Sequence, residues 1–100
     1  MAQELLQKPK EKLKKPSQFQ VLLLNDDYTT MEFVVEVLRK FFFKSNEAAH
    51  ALMLKIHIEG EAVCGVYSHD IAQTKVSQVI DFSRKHDQPL MCIIREVRGE

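Results

Sequence analysis

The sequence predicts an α+β domain in which a three-stranded antiparallel sheet packs with three helices in the order β-α-α-β-α-β. Three short apolar runs, Phe19–Leu24, Ala62–Tyr67 and Met91–Val97, have the length and β-branched or large residues of strands. The segments between them repeat apolar residues at helical spacing. The third observation is size: 100 residues hold one core and leave no room for a second.

Phe19–Leu24 is apolar apart from Gln20 and is bounded by Asn25-Asp26-Asp27, the pattern of a central strand. Thr29 and Glu32 form a capping box, which starts the first helix at about residue 30. Val34, Val35, Leu38, Phe41 and Phe42 carry that helix to about residue 43. Ser45 or Asn46 caps the second helix, whose stripe is Ala49, Leu52, Met53 and Ile56 and whose stop is Gly60. Gly65, inside the second strand, signals a bulge or a close backbone approach. Ser68 caps the third helix, with Asp70 in its first turn and Ala72, Val76, Val79 and Ile80 on its buried stripe to about Lys85. Pro89 prevents its continuation, and the last strand follows.

The formal net charge is zero, but the charge is divided unevenly. Residues 1–17 hold five lysines against two glutamates, a net of +3, and include Pro9 and Pro16. Their few apolar residues cannot offset the entropy of ordering, so a disordered, flexible N-terminal extension is expected there, with the core domain over 18–100. The core carries nine Lys or Arg against twelve Asp or Glu, a net of −3. That balance disfavours a nucleic-acid partner, which needs a basic face. No run approaches 18 apolar residues, so no membrane span is expected. The opening Met-Ala-Gln-Glu lacks the apolar stretch of a secretory signal. Cys64 and Cys92 sit far apart in apolar runs and are expected as buried free thiols in a reducing, cytoplasmic setting.

Two polar groups invite a functional reading. Asn25-Asp26-Asp27 lies at a strand end just before a helix cap, and His57 lies four residues beyond Met53 on the second helix. Met53, Ile56 and His57 therefore line one surface, which Met31 and Val34 can meet. The result is an apolar cup with carboxylates, an amide and an imidazole at its rim. Each part also has a plain structural role: an Asn-Asp-Asp turn, a solvated histidine, core methionines. There is no H-E-x-x-H, no glycine-rich phosphate loop and no G-x-S-x-G. A metal site from Asp26, Asp27 and His57, with His50 or His69 added, lacks any specific ligand spacing. The residues favour a binding module over an enzyme, with no cofactor and no metal.

The segment Val21-Leu22-Leu23-Leu24-Asn25-Asp26-Asp27-Tyr28-Thr29-Thr30-Met31-Glu32-Phe33-Val34 resembles the signature of the ClpS family. These are bacterial adaptors that hand N-degron substrates to the ClpAP protease. Ala51–His57, Gly60–Val66, Thr74-Lys75-Val76 and Pro89-Leu90 agree in order and spacing, so the resemblance covers residues 18 to about 97. It implies recognition of a protein's first residue when that residue is Leu, Phe, Tyr or Trp. Asn25, Asp26, Asp27 and His57 would then surround the α-amino group. Thr29, Met31, Val34, Met53, Ile56 and Leu90 would shape the side-chain pocket. Asp70, Thr74 and Lys75 match positions that touch the N-terminal domain of ClpA, and the N-terminal extension would engage ClpA during delivery. A monomer suits such an adaptor. The chain departs from the family in Thr30, where proline is common, and in Ile56, where valine is frequent.

The chemistry fits that implication. An α-ammonium donates three protons, so its receptor must present acceptors: an amide oxygen, carboxylates and a neutral imidazole nitrogen. Flexible, polarizable thioethers suit a pocket that admits aliphatic and aromatic side chains alike. Met31 would wall off β-branched first residues. Burying one Leu or Phe side chain gives about 1.5–3 kcal/mol, and each charge-assisted hydrogen bond roughly as much. Micromolar binding needs about 8 kcal/mol net of association costs, so pocket and ammonium contacts are both required. Two other classes compete: a regulatory module that occupies ClpA without N-degron recognition, and a small metal-dependent hydrolase on Asp26, Asp27 and His57.

Overall fold

In the computed structural model, which describes residues 17–97, the elements follow the expected order. Gln18–Leu24 is β1, Met31–Phe42 α1, Asn46–Glu59 α2, Glu61–Tyr67 β2, His69–Lys85 α3 and Met91–Val97 β3. The expectation for residues 1–17 falls, apart from Ser17, outside the described residues.

The sheet is antiparallel throughout, in the order β2-β1-β3. The most apolar strand takes the centre because both of its edges are paired. Its residues alternate between two environments. Val21 and Leu23, with Ala62 and Cys64 of β2 and Leu90 and Cys92 beside β1, join one buried cluster with the helices. Phe33, Val34, Val37, Leu38 and Phe42 from α1, Ala49, Met53 and Ile56 from α2, and Ala72 and Val79 from α3 complete it. Phe33 of α1 stacks on Phe82 of α3, with ring centroids 5.4 Å apart.

A bulge makes β2 fit this arrangement. Val21 pairs with Gly65 but Leu22 pairs with Val63, which leaves Cys64 without a partner on β1. The extra residue lets Ala62, Cys64 and Tyr67 all turn toward the helices despite their uneven spacing. A Cβ at Gly65 would overlap the Tyr67 phenol, so both reasons for a glycine there apply. Cys64 and Cys92 are buried free thiols, and burial pushes both up to about 12.

Among the described residues, no helix packs on the opposite face of the sheet. Val63, Leu22 and Ile93 form an apolar row across it, yet Leu22 is 1% exposed. Arg95 donates to both oxygens of Glu61, at 2.9 and 3.2 Å. Glu61 is in register with Leu24 and Arg95 with Gln20, so the pair crosses the sheet diagonally over the Leu22 row.

The helix boundaries correct two expectations. Thr29 does not cap α1; Thr30 does, its hydroxyl accepting from the Phe33 N–H at 3.1 Å. The two threonines are locally equivalent, and Asp26 decides between them by engaging the Thr29 hydroxyl. Thr30 is accordingly the cap and not the first helical residue. Ser68 occupies the cap position of α3 with extended backbone but makes no side-chain cap bond. Ser45 caps α2, accepting from the Ala48 N–H at 3.1 Å, and Gly60 ends it at φ 96°, where only glycine is unstrained.

Candidate functional site

The loop from Asn25 to Thr30 leaves the central strand between two neighbours. On one side Leu24 pairs with Glu61, so the loop begins beside the C-terminus of α2. The Asn25 N–H donates to the Gly60 carbonyl at 2.9 Å, one turn beyond His57. On the other side Leu24 pairs with Met91, which places Leu90 and the α3–β3 connection at the same end of the sheet. Central placement of β1 thus gathers three separated segments around residues 25–31.

Asp26 is the organiser of the loop. Its Oδ1 accepts from the N–H groups of Tyr28 at 2.8 Å and Thr29 at 2.7 Å, and its Oδ2 accepts from the Thr29 hydroxyl at 2.7 Å. Partial burial alone would raise the Asp26 carboxyl, but the hydrogen bonds from Thr29 and Tyr28 and the nearby charge of Arg84 hold it below the usual carboxylate range. The aspartate therefore stays anionic, with lone pairs of Oδ2 left for another donor.

Asn25, Asp27 and His57 are exposed, while Asp26 and Thr29 are half-buried. No hydrogen bond among the described residues joins His57 to Asn25, Asp26 or Asp27, so the acceptors form a rim and not a network. Val34, Met53, Ile56 and Leu90 belong to the buried cluster, and Met31 at the start of α1 is 45% exposed. Four of the six expected pocket residues are therefore packed as core, while Met31 is at the surface. Two shallow grooves lie elsewhere. One follows the outer side of α1 past Val35, Arg39, Phe43 and Lys44, and the other runs past Leu22, Lys55, Glu61 and Val63. Neither includes an expected site residue, so the placement of the site at residues 25–31 rests on the acceptor chemistry and the convergence of segments.

Sequence reasoning missed two residues here. Gln88 accepts from the Thr30 N–H through Oε1 at 3.2 Å. Arg84 Nη1 donates to the carbonyls of Gln88 and Leu90, both at 2.9 Å, and Nη2 approaches the Met91 sulfur at 3.2 Å. The Thr30–Gln88 contact joins residues 58 apart, and no local pattern marks it.

Asp70, Thr74 and Lys75 lie on α3. Asp70 and Thr74 are exposed and one turn apart, hence on one face. Lys75 is half-buried, and its Nζ donates to the Phe41 carbonyl at 2.6 Å, close to the rings of Phe43 and Tyr67. It serves the end of α1 as well as the surface. Among the described residues no group of three or more His, Cys, Asp or Glu is placed to hold a metal ion, and no helix is long and apolar enough to cross a membrane.

Comparison with known proteins places these features in a family. The family model described as ATP-dependent Clp protease adaptor protein ClpS matches residues 14–93. A ClpS adapter from Rhodospirillum centenum is 54% identical over 89 residues, covering 89% of this chain and 82% of that protein. A ClpS adapter from Nitrosospira multiformis is 52% identical over 92 residues, covering 92% and 90%. Among solved structures, Agrobacterium tumefaciens ClpS2 bound to L-phenylalaninamide superposes with a TM-score of 0.80 at 37% identity, covering 83% of this chain and all of that one. With a family model matching most of its length and about half of its residues identical to these relatives, the chain belongs to the ClpS family of Clp protease adaptors.

Proposed function

We propose that this adaptor recognises proteins by a bulky hydrophobic first residue, Leu, Phe, Tyr or Trp, and delivers them to the ClpAP protease. The observation that carries the reading is the complex of the Agrobacterium relative. L-phenylalaninamide is a free α-amino group and an aromatic side chain followed by an amide, which is the chemistry of a protein's first residue.

The site here suits that ligand. Asn25, Asp26, Asp27 and His57 supply acceptors at one end of the sheet, and the anionic Asp26 favours a cation. Thr29, Met31, Val34, Met53, Ile56 and Leu90 shape the side-chain pocket in this reading. Thioether flexibility in Met31 and Met53 lets one pocket accept both leucine and aromatic rings. Selectivity follows from requiring both halves: an internal Phe lacks the ammonium, and a polar first residue lacks the apolar burial. The exposed Asp70 and Thr74, with Lys75 beside them, form the face offered to the N-terminal domain of ClpA. The chain acts as a cytoplasmic monomer without catalysis of its own, and residues 1–17 serve delivery and not peptide capture.

The test is a panel of peptides differing only in the first residue, with an acetylated control, alongside binding to the ClpA N-terminal domain. Leu, Phe, Tyr and Trp peptides should bind and the acetylated Phe peptide should not. Undiminished binding after acetylation would sink the ammonium contacts. Binding to ClpA without binding to any peptide would favour a regulatory module instead.

A further inference from the structure

We infer that Gln88, held in place by Arg84, is a positioning residue for the first-residue pocket, acting as a latch on Thr30. The inference rests on the proposed recognition of first residues and adds the means by which the two walls of the pocket are kept in register. One wall is the loop that carries Thr29 and Met31. The other is the α3–β3 connection that carries Leu90.

Four contacts close the link. The Thr30 N–H precedes the helical ladder of α1 and has no partner within the helix. Gln88 Oε1 accepts it at 3.2 Å. Arg84 then fixes the acceptor's own segment by donating to the Gln88 and Leu90 carbonyls, both at 2.9 Å. A planar guanidinium bridging two carbonyls orients both peptide groups, which a single point charge would not do. The backbone turns back on itself here, with Asp87 at φ 59° and the Gln88 N–H returning to the Ser83 carbonyl at 2.9 Å, so the latch residue sits on a defined turn.

The Thr30 N–H is exposed, so water replaces Gln88 as its acceptor when the side chain is removed. The bond therefore adds little to stability. What it adds is distance and angle between Met31 and Leu90, and the readout is affinity and selectivity more than melting temperature. Thr30 has φ −74°, which proline also adopts, and a proline there has no N–H to latch.

That geometry supplies a thermodynamic cycle. In the full chain, Gln88→Ala should weaken binding of a Phe-initiated peptide about three- to tenfold, while leaving the melting temperature nearly unchanged. Gln88→Glu, which keeps an acceptor, should restore most of the affinity. In a Thr30→Pro background the same Gln88→Ala change should alter binding less than about twofold, and the cycle subtracts the cost of losing the Thr30 cap. Equal losses in both backgrounds, or no loss in the parent, would overturn the latch. Amide hydrogen exchange at Thr30 should accelerate in Gln88→Ala. A parent that binds free and acetylated peptides equally would overturn the proposed function and the positioning role together. Faster exchange in that case would still mark the contact as present but structural only.

Discussion

The Nζ of Lys75 donates to the carbonyl of Phe41 at 2.6 Å, tying α3 to the last turn of α1. Its ammonium also lies 4.8 Å from the centroid of the Phe43 ring, and Phe43 sits in the left-handed region at φ 55° where the helix ends. A cation at a helix C-terminus meets unsatisfied carbonyls and the negative end of the dipole. Lys75 is thus a helix clamp as well as a candidate contact for the protease, and the two roles have different signatures.

Lys75→Met should lower stability by about 1–2 kcal/mol, seen as a drop of roughly 5–10 °C in the melting temperature. Asp70→Ala and Thr74→Ala, on the exposed face, should change stability by less than about 0.5 kcal/mol. If they nonetheless weaken binding to the ClpA N-terminal domain, the face is a docking surface and not part of the scaffold. Stability unaffected by Lys75→Met would remove the clamp.

Asp26→Ala removes the acceptor of three loop hydrogen bonds and should cost about 1–2 kcal/mol at pH 7. The sign of its pH dependence follows from the lowered carboxyl. The contribution is present above the unfolded value of 3.8 and is lost as pH falls through the lower folded value. Denaturant melts of parent and variant should therefore differ at pH 7 and draw together as pH falls below 3.8 through the lower folded value. A constant gap across that range would assign the effect to packing.

The Ser83 hydroxyl is buried at 0% exposure and has no hydrogen-bond partner among the described residues. Ser83→Ala removes an unsatisfied polar atom and improves helix propensity, so the change should lie between neutral and about 1 kcal/mol stabilising. Thermal melts decide the matter. A loss above about 1 kcal/mol would mean that the hydroxyl is satisfied in solution.

Met31 is 45% exposed, so little of the fold depends on its side chain. Met31→Ala should leave the melting temperature nearly unchanged and relax the rejection of β-branched first residues. In fluorescence anisotropy, Val- and Ile-initiated peptides should gain on the Leu peptide by about three- to tenfold, the scale of one or two methyl contacts. Unchanged selectivity would take the wall away from Met31.

Much of the fold was legible because its signals are local. The apolar run ending at Leu24 and the Gly60 stop each announce themselves within a few residues and appear where the sequence places them. Of the two caps the sequence offers for α2, Ser45 and Asn46, the structure uses Ser45. The threonine pair did not resolve in that way. Thr29 and Thr30 are chemically identical candidates for the cap, and the choice was made by the Asp26 carboxylate taking the Thr29 hydroxyl. For the candidate site, the acceptors at 25–27 and His57 were visible as residue types. That Asp26 is turned inward to build the loop was not, since an anion-rich turn and an open acceptor have the same sequence.

By itself the sequence determined the order of elements and the central position of the most apolar strand, because these follow from periodicity and from the hydrophobic effect. The fold decided which stripe residues are fully buried, placing Phe33 and Val37 in the core and Val35, Phe41, Leu52, Val76 and Ile80 at its margin. The tertiary structure decided what the long side chains do. Glu61 and Arg95 close over Leu22, Lys75 reaches Phe41, and Gln88 reaches Thr30. These partners lie 34, 34 and 58 residues apart, and only the pairing of β1 with both edge strands and the packing of α3 against α1 bring them within bonding distance. A hydrogen bond is decided over tenths of an ångström and by angle, whereas apolar patterning tolerates any arrangement that excludes water. The scaffold is therefore written in the sequence, and the fine geometry of the site is set by the fold.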